Sequence, residues 1–143
     1  MKPIGGIRHG LSDERLRAVR EGHVKVVGEI VLESRFAAGL VDIERFSHLY
    51  VLWVFDRSEG FSLSVRPPMD SRPHGVFATR SPRRPNPIGL TLVELLGREG
   101  ARLRVRGLDM FDGTPVLDLK PCTTAIDEAE LRRGWLDDIK PGP

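Results

Sequence analysis

Residues 47–55 read Ser-His-Leu-Tyr-Val-Leu-Trp-Val-Phe, and this run constrains the fold more than any other part of the chain. In an extended backbone Leu49, Val51, Trp53 and Phe55 share one face, while Tyr50, Leu52 and Val54 share the other. Aromatic and β-branched residues at both parities predict a strand that is central in a sheet and buried on both faces. The apolar stretch 49–55 is too short to span a bilayer.

The rest of the chain supplies neighbours for that strand. Residues 3–8, 23–32, 61–66, 74–79, 88–97, 101–107 and 115–120 read as further strands. In 101–107, Arg102, Arg104 and Arg106 alternate with Leu103 and Val105, the pattern of a strand with one wet face. Ser12 followed by Asp13 and Glu14 predicts a capped helix ending near Gly22. A turn at 37–40 leads into one helical turn over 41–46, and a second helix is predicted over 125–136, with Asp127 and Glu128 near its start. Many strands, short turns and two modest helices imply a mainly β fold, a small β-barrel with one or two short helices. Strand and helix do not alternate, and Gly-x-Gly-x-x-Gly is absent, so a nucleoside cofactor would not be held as in a Rossmann sheet. At 143 residues the length suits a single domain over 1–143.

The formal charge of +2 does not itself imply a polyanionic partner. The local distribution says more. Arg66, Arg72, Arg80, Arg83 and Arg84 face a single acid, Asp70, whereas 127–138 leans acidic. Cys122 is the only cysteine, which excludes an internal disulfide and a cysteine-built metal site. The N-terminus has no apolar signal core, so a cytoplasmic location is expected, with no membrane partner.

Four segments can carry chemistry. In 75–89, Pro82, Pro85 and Pro87 stiffen a loop bearing Arg80, Arg83, Arg84 and Asn86. Those arginines suit phosphate or carboxylate, and the plain alternative is a surface turn guarding a sheet edge. In 108–115, Asp109 and Asp112 flank a turn, where they can accept from a ribose or an amine or simply cap local backbone. His48 enters the apolar strand as a general base or as a hydrogen-bonded core residue, with Asp56 and Arg57 at the strand's far end. Asp118 and Lys120 share a strand face and fit an ion pair. The four histidines show no metal-ligand spacing.

Taken in order, Gly39-Leu40 through Ile43, Phe46-Ser47-His48-Leu49, Gly75-Val76-Phe77-Ala78-Thr79-Arg80-Ser81-Pro82, Arg84-Pro85-Asn86-Pro87-Ile88-Gly89 and Asp112-Gly113-Thr114-Pro115-Val116-Leu117-Asp118 resemble the TrmO/YaeB (TsaA-like) family of tRNA methyltransferases. The resemblance implies a small β-barrel, commonly a homodimer, that binds S-adenosylmethionine and methylates N6 of threonylcarbamoyladenosine beside the tRNA anticodon. Carried over by position, it implies cofactor contacts at Asp56, Arg57, Arg80, Leu90, Asp109, Met110, Phe111 and Asp112. His48, Asp112 and Asp118 are then candidates for a base that takes the proton from the acceptor nitrogen. Arg72, Arg83, Arg84 and Asn86 are candidate RNA contacts.

Two stretches depart from the family pattern. A Pro-Arg-Gln segment usual after the first strand is replaced by Gly10-Leu11-Ser12-Asp13-Glu14-Arg15-Leu16-Arg17, and the usual Lys-Pro-Tyr is Lys120-Pro121-Cys122. The first departure motivates an alternative acceptor, a small molecule or a protein. A nonenzymatic RNA-binding or cofactor-sensing domain is the alternative from another class.

Overall fold

Six of the alternating segments close into an antiparallel barrel in the computed structural model, which describes residues 1–123 and 126–139. They are β1 (Gly5–Arg8), β2 (Val26–Leu32), β3 (His48–Val54), β6 (Ile88–Glu99), β7 (Arg102–Leu108) and β8 (Pro115–Pro121), arranged β1-β2-β7-β6-β3-β8 around the ring. Strand β6 makes closure possible. Its first half pairs with β3, from Ile88 against Val54 to Glu94 against His48. Its second half pairs with β7, with the register shifting between Leu95 and Gly97. Such a shift bends a strand and increases its twist, letting one strand turn the corner between two neighbours.

The inward residues fill the barrel. Ile7, Ile30, Leu49, Val51, Val93, Leu103, Val105 and Val116 are fully buried, and Trp53, Leu108 and Met110 nearly so. The helix α1 (Asp13–Glu21) begins where expected, with the Ser12 hydroxyl accepting from the Arg15 N–H and Gly22 as C-cap. Leu16 anchors it to the core at 1% exposure, a burial worth about 1.5–3 kcal/mol. Strand β3 departs from expectation on one face. Leu49, Val51 and Trp53 are buried, but Tyr50, Leu52 and Val54 are only half-buried. A closed barrel is a single layer, and its outer face has no second sheet to pack against.

The chain divides into two compact units, Met1–Ser58 with Pro87–Cys122, which holds the barrel, and Glu59–Asn86 with the described part of Thr123–Pro143. In the second unit the expected strands 61–66 and 74–79 shrink to β4 (Ser64–Val65) and β5 (His74–Gly75), followed by a 3-10 turn at Val76–Ala78. The helix expected over 125–136 does not form in its described part. There Asp127 Oδ1 accepts from the Ala129 N–H, Gly134 takes φ +59°, and one 3-10 turn spans Gly134–Asp138. Side chains that bond nearby backbone compete with helix formation. Ala125 lies outside the described residues. The turn expected at 37–40 lies within a 3-10 helix, Ser34–Leu40, and the helical turn expected over 41–46 is a second 3-10 turn, Ile43–Arg45. No helix among the described residues is long and apolar enough to cross a membrane.

Candidate functional site

The turn between β7 and β8 concentrates polar groups at one edge of the barrel. Asp109 Oδ1 accepts from the Thr91 hydroxyl at 2.6 Å, and Thr91 Oγ1 accepts from Trp53 Nε1 at 3.0 Å. Thr91 is an inward residue of β6, 5% exposed, so a buried relay orients a half-buried carboxylate. The relay depends on Gly89. A Cβ there would come within 2.2–2.6 Å of the Trp53 ring, so only glycine lets the indole lie across β6. The Ile88-Gly89 end of the proline-rich segment therefore has a packing reason that sequence reasoning did not supply.

The rest of the turn is tied to the residues following β1. His9 Nδ1 accepts from the Leu11 N–H, which leaves Nε2 to donate to the Met110 carbonyl at 2.9 Å. Asp112 Oδ1 accepts from the His9 N–H at 3.0 Å. That bond, with lesser help from the Gly10 and Gly113 N–H groups, holds the Asp112 carboxyl below the usual carboxylate range, against the opposing effect of burial. Asp112 thus anchors backbone and is a weak base. The Met110 side chain packs in the core, 2% exposed, which leaves its backbone as the part a ligand can meet.

Phe111 is half-buried beneath two guanidinium groups, Arg57 at 4.8 Å and Arg17 at 5.5 Å from the ring centroid. Arg57 is also ion-paired with Asp13. Both Asp13 and Arg17 come from α1, the segment that stands where the Pro-Arg-Gln pattern is absent. The helix therefore brings its own polar groups to this turn. Asp56 is exposed beside Arg57, and Leu90 is 43% exposed on the outer face of β6, opposite Leu52.

His48 pairs with Glu94 across β3 and β6, and its Nδ1 lies 2.8 Å from Ser47 Oγ. No hydrogen bond engages its Nε2 among the described residues. His48 and Asp109 line the same open groove of about 510 Å³, with Leu92 between their strands. Asp118 is elsewhere. Its Oδ2 is 3.3 Å from Lys120 Nζ, the ion pair expected from their shared face, and its Oδ1 accepts from the Leu119 N–H.

The remaining candidates belong to the second unit. Arg84 Nη1 donates to the carbonyls of Thr79 and Ser81 at 3.0 and 3.2 Å. The buried Thr79 hydroxyl donates to the Val76 carbonyl and accepts from the Ser81 N–H. Rigidity in this loop thus comes from side-chain bonds as well as from proline. Arg72 forks onto Asp70, 2.8 Å from Nη2 to Oδ2, and His74 Nε2 meets the same oxygen at 2.9 Å. The His74 ring stacks on Trp135 at 4.4 Å. Arg72 foremost, and His74 after it, hold the Asp70 carboxyl well below the usual range. Arg80, Arg83 and Asn86 are exposed.

Sequence reasoning missed Trp53, Thr91, His9, Asp13 and Arg17. Thr91 left a signal, a lone hydroxyl on the inward parity of an apolar strand. The others acquire partners only through the fold.

Comparison with known proteins bears on this arrangement. The family model described as "tRNA-methyltransferase O N-terminal domain" matches residues 17–128. A protein of Archaeoglobus fulgidus named "Probable S-adenosyl-L-methionine-binding protein" is 53% identical over 114 residues, 79% of this chain and 31% of that protein. The Homo sapiens "tRNA (adenine(37)-N6)-methyltransferase" is 45% identical over 94 residues, 64% of this chain and 21% of the human protein. A crystal structure of TrmO from Pseudomonas aeruginosa superposes with a TM-score of 0.69 at 33% identity, covering 93% of this chain and 60% of that one. The chain thus spans under a third of the first of these relatives and about three-fifths of the solved structure.

Proposed function

Since the chain belongs to the tRNA-methyltransferase O N-terminal domain family, we propose that it is an S-adenosylmethionine-dependent methyltransferase acting on N6 of threonylcarbamoyladenosine next to the tRNA anticodon. The observation that carries the proposal is the shared groove of His48 and Asp109, with Asp109 held by the Thr91–Trp53 relay. The residues at this edge have the chemistry the cofactor needs. Asp109 is a carboxylate acceptor for an amine or a ribose hydroxyl, and Phe111 and Leu90 offer flat and apolar surface for a purine. Asp109, Phe111, Leu90, Arg57 and the backbone of 110–112 would hold it. When bound, S-adenosylmethionine supplies an electrophilic methyl group on a sulfonium.

The protein must then orient the acceptor nitrogen, exclude water and receive one proton. His48 is the base the geometry favours. Its Nδ1 is engaged by Ser47 and its Nε2 is available to a proton on N6. Asp112 is too acidic for that role, and Asp118 is occupied by Lys120. A tRNA substrate carries a cytoplasmic location with it. We propose pairing with a second copy through the outer face of β3 around Leu52, which lies opposite Leu90, so that the second barrel completes the open side of the cofactor site. Leu90 is 43% exposed and Leu52 half-buried on that face, and the groove lined by Leu92 stays open beside it.

The test is incubation of the full chain with methyl-labelled S-adenosylmethionine and tRNA that carries threonylcarbamoyladenosine, followed by nucleoside mass spectrometry. Label on N6 of that nucleoside is expected. Cofactor binding without label in any tRNA nucleoside would overturn the RNA reading. It would favour a small-molecule or protein acceptor, the alternative suggested by the presence of Asp13 and Arg17 from α1 at the Phe111 turn.

A further inference from the structure

The five arginines of 66–84 make the obvious basic patch, but two are committed within their own unit. Arg72 is forked onto Asp70, and Arg84 is spent on loop carbonyls. An RNA strand needs other cations, and the barrel unit supplies a second basic surface outside every motif. The groove lined by His48 and Asp109 continues past Arg106 to the end of α1 and the start of β2, where Arg20, His23 and Lys25 line it.

The strand order explains its course. Lys25 precedes β2, Arg106 and Gly107 belong to β7, Leu92 to β6 and His48 to β3, and these four strands are consecutive around the barrel. The groove therefore crosses three strand spacings, about 14 Å. That length suits a run of nucleotide backbone better than one small anion. Its floor is kept low by Gly107, which adopts φ +108°, a conformation L side chains rarely take. His23, also at positive φ (+56°), turns the chain out of α1 into β2; its N–H bonds the Arg20 carbonyl at 3.0 Å.

The charges are graded along the groove. Arg106 is neutralised by Glu94, 3.1 Å from both carboxylate oxygens, and Asp109 is bonded to Thr91. Arg20 and Lys25 have no ion-pair partner among the described residues. Lys25 and Asp109 stand together just beyond the Val26–Leu108 pair, so the uncompensated cations adjoin that carboxylate at one end, and His48 lies across β6 at the other.

We infer that this groove is the path of the substrate RNA backbone, with Arg20 and Lys25 binding phosphates of the strand whose target base reaches His48 and Asp109. The inference rests on the proposed tRNA reading and adds a site to it. Each phosphate contact on single-stranded RNA contributes about 0.7 to the slope of log affinity against log salt, so two contacts are worth about 25-fold at 0.1 M salt.

The experiment measures binding of a tRNA anticodon stem-loop to the full chain and to the double variant Arg20→Gln/Lys25→Gln across a salt series, with S-adenosylhomocysteine titrated into both proteins. Both substituted side chains are exposed, so the fold is retained. The expected result is a roughly 25-fold loss of RNA affinity at 0.1 M salt and a slope reduced by about 1.4, with unchanged S-adenosylhomocysteine affinity. Unchanged RNA affinity and slope in the variant would overturn the inference while leaving the methyltransferase reading intact. Failure of the unsubstituted chain to bind the stem-loop at any salt would overturn the tRNA reading, and this inference with it.

Discussion

Replacing Thr91 with valine removes one oxygen and preserves the shape and strand preference of the residue. That oxygen holds two bonds, from Trp53 Nε1 and to Asp109 Oδ1. The indole N–H sits on a tryptophan that is 8% exposed, and stranding such a donor costs about 1–3 kcal/mol. The bond to Asp109 is of the charged class, worth about 1.5–3 kcal/mol, part of which water recovers because Asp109 is half-buried. The expected net loss is about 3 kcal/mol. In urea, with a slope of about 1.5–2 kcal/mol/M for a chain of this size, the midpoint should fall by about 1.5–2 M. Thr91→Ser keeps the hydroxyl and should recover most of the loss. S-adenosylhomocysteine affinity should fall with Thr91→Val and persist with Thr91→Ser. A Thr91→Val protein within about 0.5 kcal/mol of the original, or a serine variant as unstable as the valine one, would refute the relay as an organising feature.

Three further outcomes are expected. His48→Ala should lower kcat/KM for methyl transfer by about 100-fold or more, whereas Asp112→Asn should change it little, as steady-state kinetics would show. Asp70 should stabilise the fold in a pH-dependent way. Its folded pKa lies below the unfolded carboxylate value of about 3.9, so its contribution is complete above that pH and is lost as pH falls toward the folded value. Acid unfolding followed by circular dichroism should therefore be less steep in Asp70→Asn. Leu52→Glu, which puts a charge on the outer face of β3, should convert a dimer to a monomer in light scattering.

The barrel was legible because its strands alternate. Inward Leu103 and Val105 against outward Arg102 and Arg104 assign the faces of β7 without a structure, and Ser12 and Gly22 mark the ends of α1 through local capping chemistry. What sequence could not show is long-range. Trp53 meets Thr91 across 38 residues, and Thr91 meets Asp109 across 18. Ring closure left the outer face of β3 uncovered, which its own apolar pattern did not disclose. The segment after Asp127 has helical composition, but Asp127 bonds the backbone two residues on and Gly134 adopts a left-handed conformation. Arg84 had the residue type of a phosphate ligand, yet its guanidinium braces the loop that carries it.

The most direct test of the methyl-donor site is calorimetric titration of S-adenosylmethionine into the unsubstituted chain and Asp109→Ala. Binding to the unsubstituted chain and at least tenfold weaker binding to the variant, about 1.4 kcal/mol, are expected. No heat at millimolar ligand, or equal affinity in both proteins, would contradict a cofactor site built on Asp109.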